Sequence, residues 1–299
     1  MIHYLNPDNH YTDRKYLMQW FLKDTLVITD GDLISLDRTH ELLLNHPIKN
    51  RAVDVTHNPV NEDRIIFNIT PVLTNNCKYW YHPTSTRVFF PLFLWMYSMR
   101  NSLWWPPFSF DAGHNKTQEI MCLNFQPREH RAWLWEEFAR KNIIKRMMYT
   151  FPGKRSLPNE PTGPTSNDVG IDHPIYNEYA VNIVTETTVD QMYISEKTCK
   201  AFIARQIPVI VGAAGINQFL HDIKLDMFDD IVPWRTWDNE TDTTVRLQKI
   251  ADFVEQWLTS GTILSDYRQV LSRVEHNKQY FHSEDFRNRI MNQMQKEFA

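Results

Sequence analysis

Residues Tyr179 to Gly215 read YAVNIVTETTVDQMYISEKTCKAFIARQIPVIVGAAG, and their order decides the fold class. Ala180–Val184 is a short apolar run rich in β-branched residues, which marks a strand. A polar loop follows and ends at Ser195, whose hydroxyl suits the N-cap of a helix. The helix opens with Glu196 and Lys197. A second apolar run, Ile207–Val211, is another strand, and Gly212 and Gly215 permit a tight turn before the next helix. The stretch is one strand–helix–strand unit of a parallel sheet, with its polar loop at the carboxyl end of the first strand. Open α/β sheets bind ligands at that edge.

The same alternation extends outward. Strand-like runs occur at Thr25–Thr29, Ala52–Val55, Ile65–Ile69, Met121–Phe125 and Met147–Phe151, with helical patterns at Arg131–Lys141 and Glu196–Arg205. Thr243–Phe298 reads as three amphipathic helices. The alternation predicts an α/β protein with largely parallel sheets. A length of 299 residues suits two domains of roughly 150 residues each. The Pro- and Trp-rich segment around Trp104-Trp105-Pro106-Pro107 and the polar stretch after Phe110 set the boundary. The division expected is 1–112, 113–282 and a C-terminal helix at 283–299.

Composition excludes several classes. A net charge of −4 does not suit a protein that coats nucleic acid. Three cysteines, Cys77, Cys122 and Cys199, lie far apart with no C-x-x-C spacing, which predicts buried thiols instead of a disulfide framework or zinc ribbon. No signal peptide is visible at Met1-Ile2-His3-Tyr4. The longest apolar run, Val88–Tyr97, is about half of the ~20 residues a membrane helix needs. A cytoplasmic location is therefore expected, and the sequons at Asn68, Asn115 and Asn239 carry little weight. The histidines show no metal-binding spacing.

Around Ser195 the residue types suit a nucleotide sugar. A carboxylate accepts two hydrogen bonds from a ribose diol, which fits Glu196. An ammonium offsets pyrophosphate charge, which fits Lys197, and a helix start adds backbone N–H groups. Tyr193 has a ring to stack on the donor and a hydroxyl to bond it. Glu196 equally suits the role of a carboxylate that complements the helix dipole, with Lys197 as a solvated charge.

The segment resembles the donor-binding motif of the α-1,3-fucosyltransferases, glycosyltransferase family ten. The matching residues are Tyr193-Ile194-Ser195-Glu196-Lys197 and, after a helix, Pro208-Val209-Ile210-Val211-Gly212. Where the family has Phe-Glu-Asn at the strand end, this chain has Val184-Thr185-Glu186. Glu186 joins the donor-binding candidates, and the departure leaves base and sugar selectivity open. Asn124-Phe125-Gln126-Pro127-Arg128-Glu129-His130-Arg131 is similar to the strand–helix start where the family carries a phosphate-binding arginine; Arg131 takes that place, with Arg128 the alternative. Arg87-Val88-Phe89-Phe90-Pro91-Leu92 and Asn277-Lys278-Gln279-Tyr280-Phe281 also look like family stretches. The resemblance spans about residues 121–281 and is faint before 110.

The resemblance implies a GT-B fold: two Rossmann-like domains facing across a cleft, the second binding the donor and the first an acceptor hydroxyl on a glycan or other molecule. It implies an inverting transfer, with GDP-fucose the first donor to test and no metal required. In bacterial members a catalytic glutamate follows an apolar strand of the first domain. Here Ile65-Ile66-Phe67 is followed by Asn68-Ile69-Thr70-Pro71, without a carboxylate. Glu62 is the candidate base, with Asp63, Asp54 and His57 nearby.

Three other arrangements compete. Asp30-Gly31-Asp32 after a strand has the D-x-D spacing of a metal-dependent GT-A enzyme, and is also ordinary turn chemistry. A non-catalytic nucleotide-sugar-binding protein accommodates the missing glutamate. A nucleic-acid base as acceptor would need Lys141, Lys145, Arg146, Lys154 and Arg155 as a basic rim. The aromatic run Phe89–Trp105 suits either core packing or a stacking platform. The loop Gly153–His173, rich in Pro and Gly, suits either a flap over the diphosphate or a solvated excursion.

Overall fold

The computed structural model describes residues 3–5, 52–56, 65–68, 78–79, 94, 97–98, 113–153, 171, 173–190 and 192–290. The chain divides into two compact units, 1–108 with 288–299, and 109–287. The first holds a parallel sheet of four strands in the order β1 (His3–Leu5), β2 (Ala52–Thr56), β3 (Ile65–Asn68) and β4 (Lys78–Tyr79). The expected strands at Ala52 and Ile65 are present; the one at Thr25–Thr29 lies outside the described residues.

The second unit follows the alternation read from the sequence. Its first half runs β5 (Gln118–Cys122), α1 (Glu129–Arg140), β6 (Met148–Tyr149), α2 (Ile175–Glu178) and β7 (Tyr179–Thr185). Then come α3 (Glu196–Ile203), β8 (Ile207–Val211), α4 (Ile216–Asp222) and α5 (Arg235–Asp238). The chain continues through α6 (Thr243–Ser260), α7 (Ile263–Gln269) and α8 (Leu271–Phe281). β7 and β8 are apolar and almost wholly buried, as strands covered on both faces must be. The chain is thus α/β, with parallel sheets in both units.

Local chemistry explains the element ends. The Ser195 hydroxyl accepts from Lys197 N at 3.2 Å and caps α3. Asp242 caps α6 through Thr244 N and Val245 N, and Gly261, at φ 69°, ends that helix in the left-handed conformation. Gly215 needs its φ of 83° at the start of α4. A Cβ on Gly212 would stand 2.7 Å from Ile216 Cδ1, so the end of that side chain would have to shift. β5 begins three residues before the apolar run that announced it. Polar Gln118 pairs with Tyr179, while Asn124 has left the ladder for a side-chain network.

The strand order β6-β5-β7-β8 locates the ligand edge. Order runs outward in both directions from the β5–β7 pair, so connections leave these two strands toward opposite faces. That is a topological switch point, and the crevice outside its carboxyl ends is where doubly wound sheets bind ligands. The segments bordering it are Leu123–Arg128 after β5 and Glu186–Ser195 after β7.

Candidate functional site

Glu186 is the first residue past β7 and is fully buried. Both carboxylate oxygens accept from Ser195 N, at 3.0 and 3.1 Å, and Oε1 accepts from the Thr198 hydroxyl at 2.6 Å. The loop therefore closes on itself, its last residue hydrogen-bonded to its first. Burial pushes the Glu186 carboxyl up, against Lys197 and the Ser195 and Thr198 bonds that pull it down. The anion-binding capacity of the start of α3 is partly taken by this internal carboxylate. Glu186, a donor-binding candidate of the sequence, anchors the loop here.

Glu196 and Lys197 open α3 and pair with each other across adjacent positions. Their side chains are 17% and 22% exposed, enough to be reached from solvent. Burial raises the Glu196 carboxyl, but Lys197, Lys200 and the bond to Lys197 outweigh it, and the net shift is downward. Lys197 lines a depression of about 340 Å³, counting its open mouth, with Leu123, Phe125, Asn182 and Thr185. The hollow runs along β7, lined by Asn182–Thr185, by Leu123 and Phe125 after β5, by Tyr176 of α2 and by Lys197 in the first turn of α3.

The arginine candidates exchange places. Arg131 is 2% exposed and lies against the strand ends. Its Nη1 donates to Gln126 O at 3.1 Å, and Nη2 donates to Thr185 O and Glu186 O at 3.0 and 3.1 Å. The expected phosphate-binding arginine is thus committed to backbone carbonyls and cannot reach out without releasing them. Arg128, at the N-cap of α1, is exposed. His130 is buried, and its Nε2 lies 2.9 Å from Glu186 O; burial and the neighbouring Arg131 push it down to about 4, so the ring is neutral and donates from Nε2. Beneath lies a polar layer in which Thr185 Oγ1 donates to Asn124 Oδ1 and Asn124 N donates to Thr150 Oγ1 at 2.7 Å.

Tyr193 is buried, at 6% exposure. Lys141 is held by Asp252 and Glu255, each at 2.6 Å, and Arg146 donates to Leu258 O at 2.6 Å. Two of the five residues of the expected basic rim are thereby engaged within the protein. Cys122 and Cys199 are buried thiols, and burial pushes Cys122 up to about 12. Among the described residues no cluster of three metal-ligating side chains occurs, and no helix is long and apolar enough to cross a membrane. Glu62, Asp63, His57, Asp30, Asp32, Cys77, Arg87, the Trp95, Trp104 and Trp105 rings, Lys154, Arg155 and residues 154–170 of the loop lie outside the described residues. Asp54 falls within β2.

One residue at this edge went unread in the sequence. Arg246 of α6 is 3% exposed and reaches the loop after β7 through Val189 O, at 2.7 Å. The signal was available: it occupies the apolar stripe continued by Ile250 and Val254.

No protein-family model matches the chain, and no curated protein matches it in sequence. Among solved structures the chain is similar to crystallised α1,3-fucosyltransferases. One is 11% identical with a TM-score of 0.49, covering 96% of this chain and 92% of that one. A second, crystallised with GDP-fucose, is 12% identical with a TM-score of 0.44, covering 95% and 90%. A third, crystallised with GDP, is 13% identical with a TM-score of 0.38, covering 88% and 90%.

Proposed function

We propose that the chain is a nucleotide-sugar-dependent glycosyltransferase of the GT-B type, whose second unit binds the donor at the β5–β7 switch point. One observation carries the reading: the solvent-reachable Glu196–Lys197 pair opens a capped helix after β7, with Lys197 on a hollow that runs along β7 to the segment after β5. A carboxylate and an ammonium so placed suit a ribose diol and a diphosphate. Arg128 on the exposed rim of α1 would add charge for the departing diphosphate. The motif Tyr193–Lys197 with Pro208–Gly212 makes GDP-fucose the first donor. An inverting transfer to an acceptor hydroxyl follows from the same resemblance, with Glu62 as the base and no metal required.

Thermal unfolding against GDP-, UDP-, CMP- and dTDP-sugars tests the donor, because a ligand that binds only the native state raises its apparent stability. A GDP-sugar should raise Tm, and donor turnover should persist in EDTA. Glu196→Ala and Lys197→Ala should each weaken nucleotide affinity by about 1.5–3 kcal/mol, roughly 10- to 150-fold, with the fold intact. Unchanged affinity in both variants by calorimetry would remove the site. Turnover that requires Mn²⁺ would favour Asp30 and Asp32 instead, and donor binding with neither hydrolysis nor transfer would make the chain a binding protein.

A further inference from the structure

Among its described residues the loop Glu186–Ser195 contains no regular element, yet the chemistry proposed above depends on where it leaves Glu196 and Lys197. Glu186 ties its two ends together. Its middle is held from a different direction. Arg246, near the start of α6, donates from Nη2 to Val189 O at 2.7 Å and from Nε to Gly212 O at 3.1 Å, and Nη1 donates to Glu240 O. Three carbonyls from three segments thus converge on one guanidinium. Thr243, one turn earlier, adds a second tie: its hydroxyl accepts from Arg246 Nη2 at 3.2 Å and donates to Asp190 Oδ1 at 3.2 Å.

We propose that Arg246 is a positioning residue for the donor site, a staple that fixes the loop after β7 to the turn after β8. That the site takes a nucleotide sugar rests on the reading above; the staple does not. The two segments it joins also meet elsewhere. Glu186 N donates to Val211 O at 2.9 Å, a Cβ on Gly212 would lie 3.6 Å from Glu186 Cγ, and one on Gly215 would lie 3.8 Å from Met192 Cε. The turn after β8 is therefore the wall against which the loop is set. A lysine cannot replace the staple, because only the planar fork presents several donors in fixed directions at once. A buried hydrophobic side chain would leave the carbonyls of Val189 and Gly212 without their donor.

The test uses the full chain with Arg246→Ala, Arg246→Lys and Thr243→Val, the last keeping the buried charge in case the arginine variants fail to fold. Amide exchange in the unliganded protein should quicken about tenfold or more in 187–195 and 212–215 of the arginine variants, and less in Thr243→Val, while β5 and the interior of α6 keep their protection. GDP affinity by calorimetry should fall by about tenfold in both arginine variants. Guanidinium chloride at millimolar concentration should restore part of it to Arg246→Ala, and KCl at equal ionic strength should not. Exchange that quickens evenly through the unit, or loop exchange unchanged in all three variants, overturns the staple. If the wild-type chain takes up no nucleotide, the donor reading falls, and the exchange pattern still decides the staple.

Discussion

The two edges of the second sheet both carry buried cations, and they use them differently. At the amino edge Lys116 is 4% exposed, and its Nζ donates to Tyr176 O and Ala204 O at 2.6 and 3.0 Å. Arg205 ends on Glu275, and Tyr267 donates to Arg205 O at 2.9 Å. These contacts lock the turns before β7 and before β8. At the carboxyl edge Arg131 and Arg246 end on carbonyls, and the same edge carries the Glu196–Lys197 pair, which solvent can reach. Burial and shifted titration mark both edges, so neither identifies a site. What differs at the carboxyl edge is a partly exposed pair beside a hollow, together with the strand order.

The sharpest way to break the contrast is Glu186→Ala. It removes the acceptor of Ser195 N and Thr198 Oγ1 and leaves both donors buried, which should cost on the order of 3 kcal/mol of stability. Nucleotide affinity should fall with it, since α3 loses the contact that sets its first turn. Denaturant unfolding and calorimetry check both. Stability lost with affinity retained would show that the loop geometry does not matter to the ligand.

A smaller effect should appear at the other edge. Burial first, then Arg205 and Lys278, push Lys116 down to about 7 from its ordinary 10.5. Above pH 7 the unfolded chain keeps a proton on this lysine that the folded chain has released, so folding stability rises with pH. Between pH 7 and pH 9 the gain should be about 2 kcal/mol relative to Lys116→Met, which lacks the titrating group. Nucleotide affinity should be the same in both proteins at each pH. A change in affinity would join the amino edge to the site.

Much of this was legible in the sequence, for reasons that name its limits. β7, α3 and β8 were readable because each carries a local signal: a β-branched run, Ser195 before Glu196, and Gly212 and Gly215 at a turn. Periodicity says nothing about which of two arginines in Arg128–Arg131 faces inward. That depends on the carbonyls of Thr185 and Glu186, which are more than fifty residues away. The helical stripe marks Arg246 as buried but not what it binds, since its acceptors at Val189 and Gly212 become neighbours only once the sheet forms. Tyr193 matched a motif by type, and its burial is a property of the packed loop.

The finest test separates the two arginines. Arg131 spends three hydrogen bonds on the backbone, so Arg131→Ala should lower stability and disturb the loop as a whole, and an affinity loss there would not distinguish ligand contact from misfolding of the edge. Arg128 is exposed at the N-cap of α1, where its removal leaves no buried group unpaired. Arg128→Ala should therefore leave Tm nearly unchanged. If the side chain faces a bound diphosphate, nucleotide affinity should fall by about 1 kcal/mol at low salt, and the loss should shrink as ionic strength rises, because an exposed charge acts through screened solvent. Calorimetry of GDP against the unphosphorylated nucleoside, at two salt concentrations, reads this directly. Loss for GDP alone places Arg128 at the phosphates. Equal affinity for wild type and variant at low salt would leave Lys197 as the cation facing the diphosphate at this edge among the described candidates.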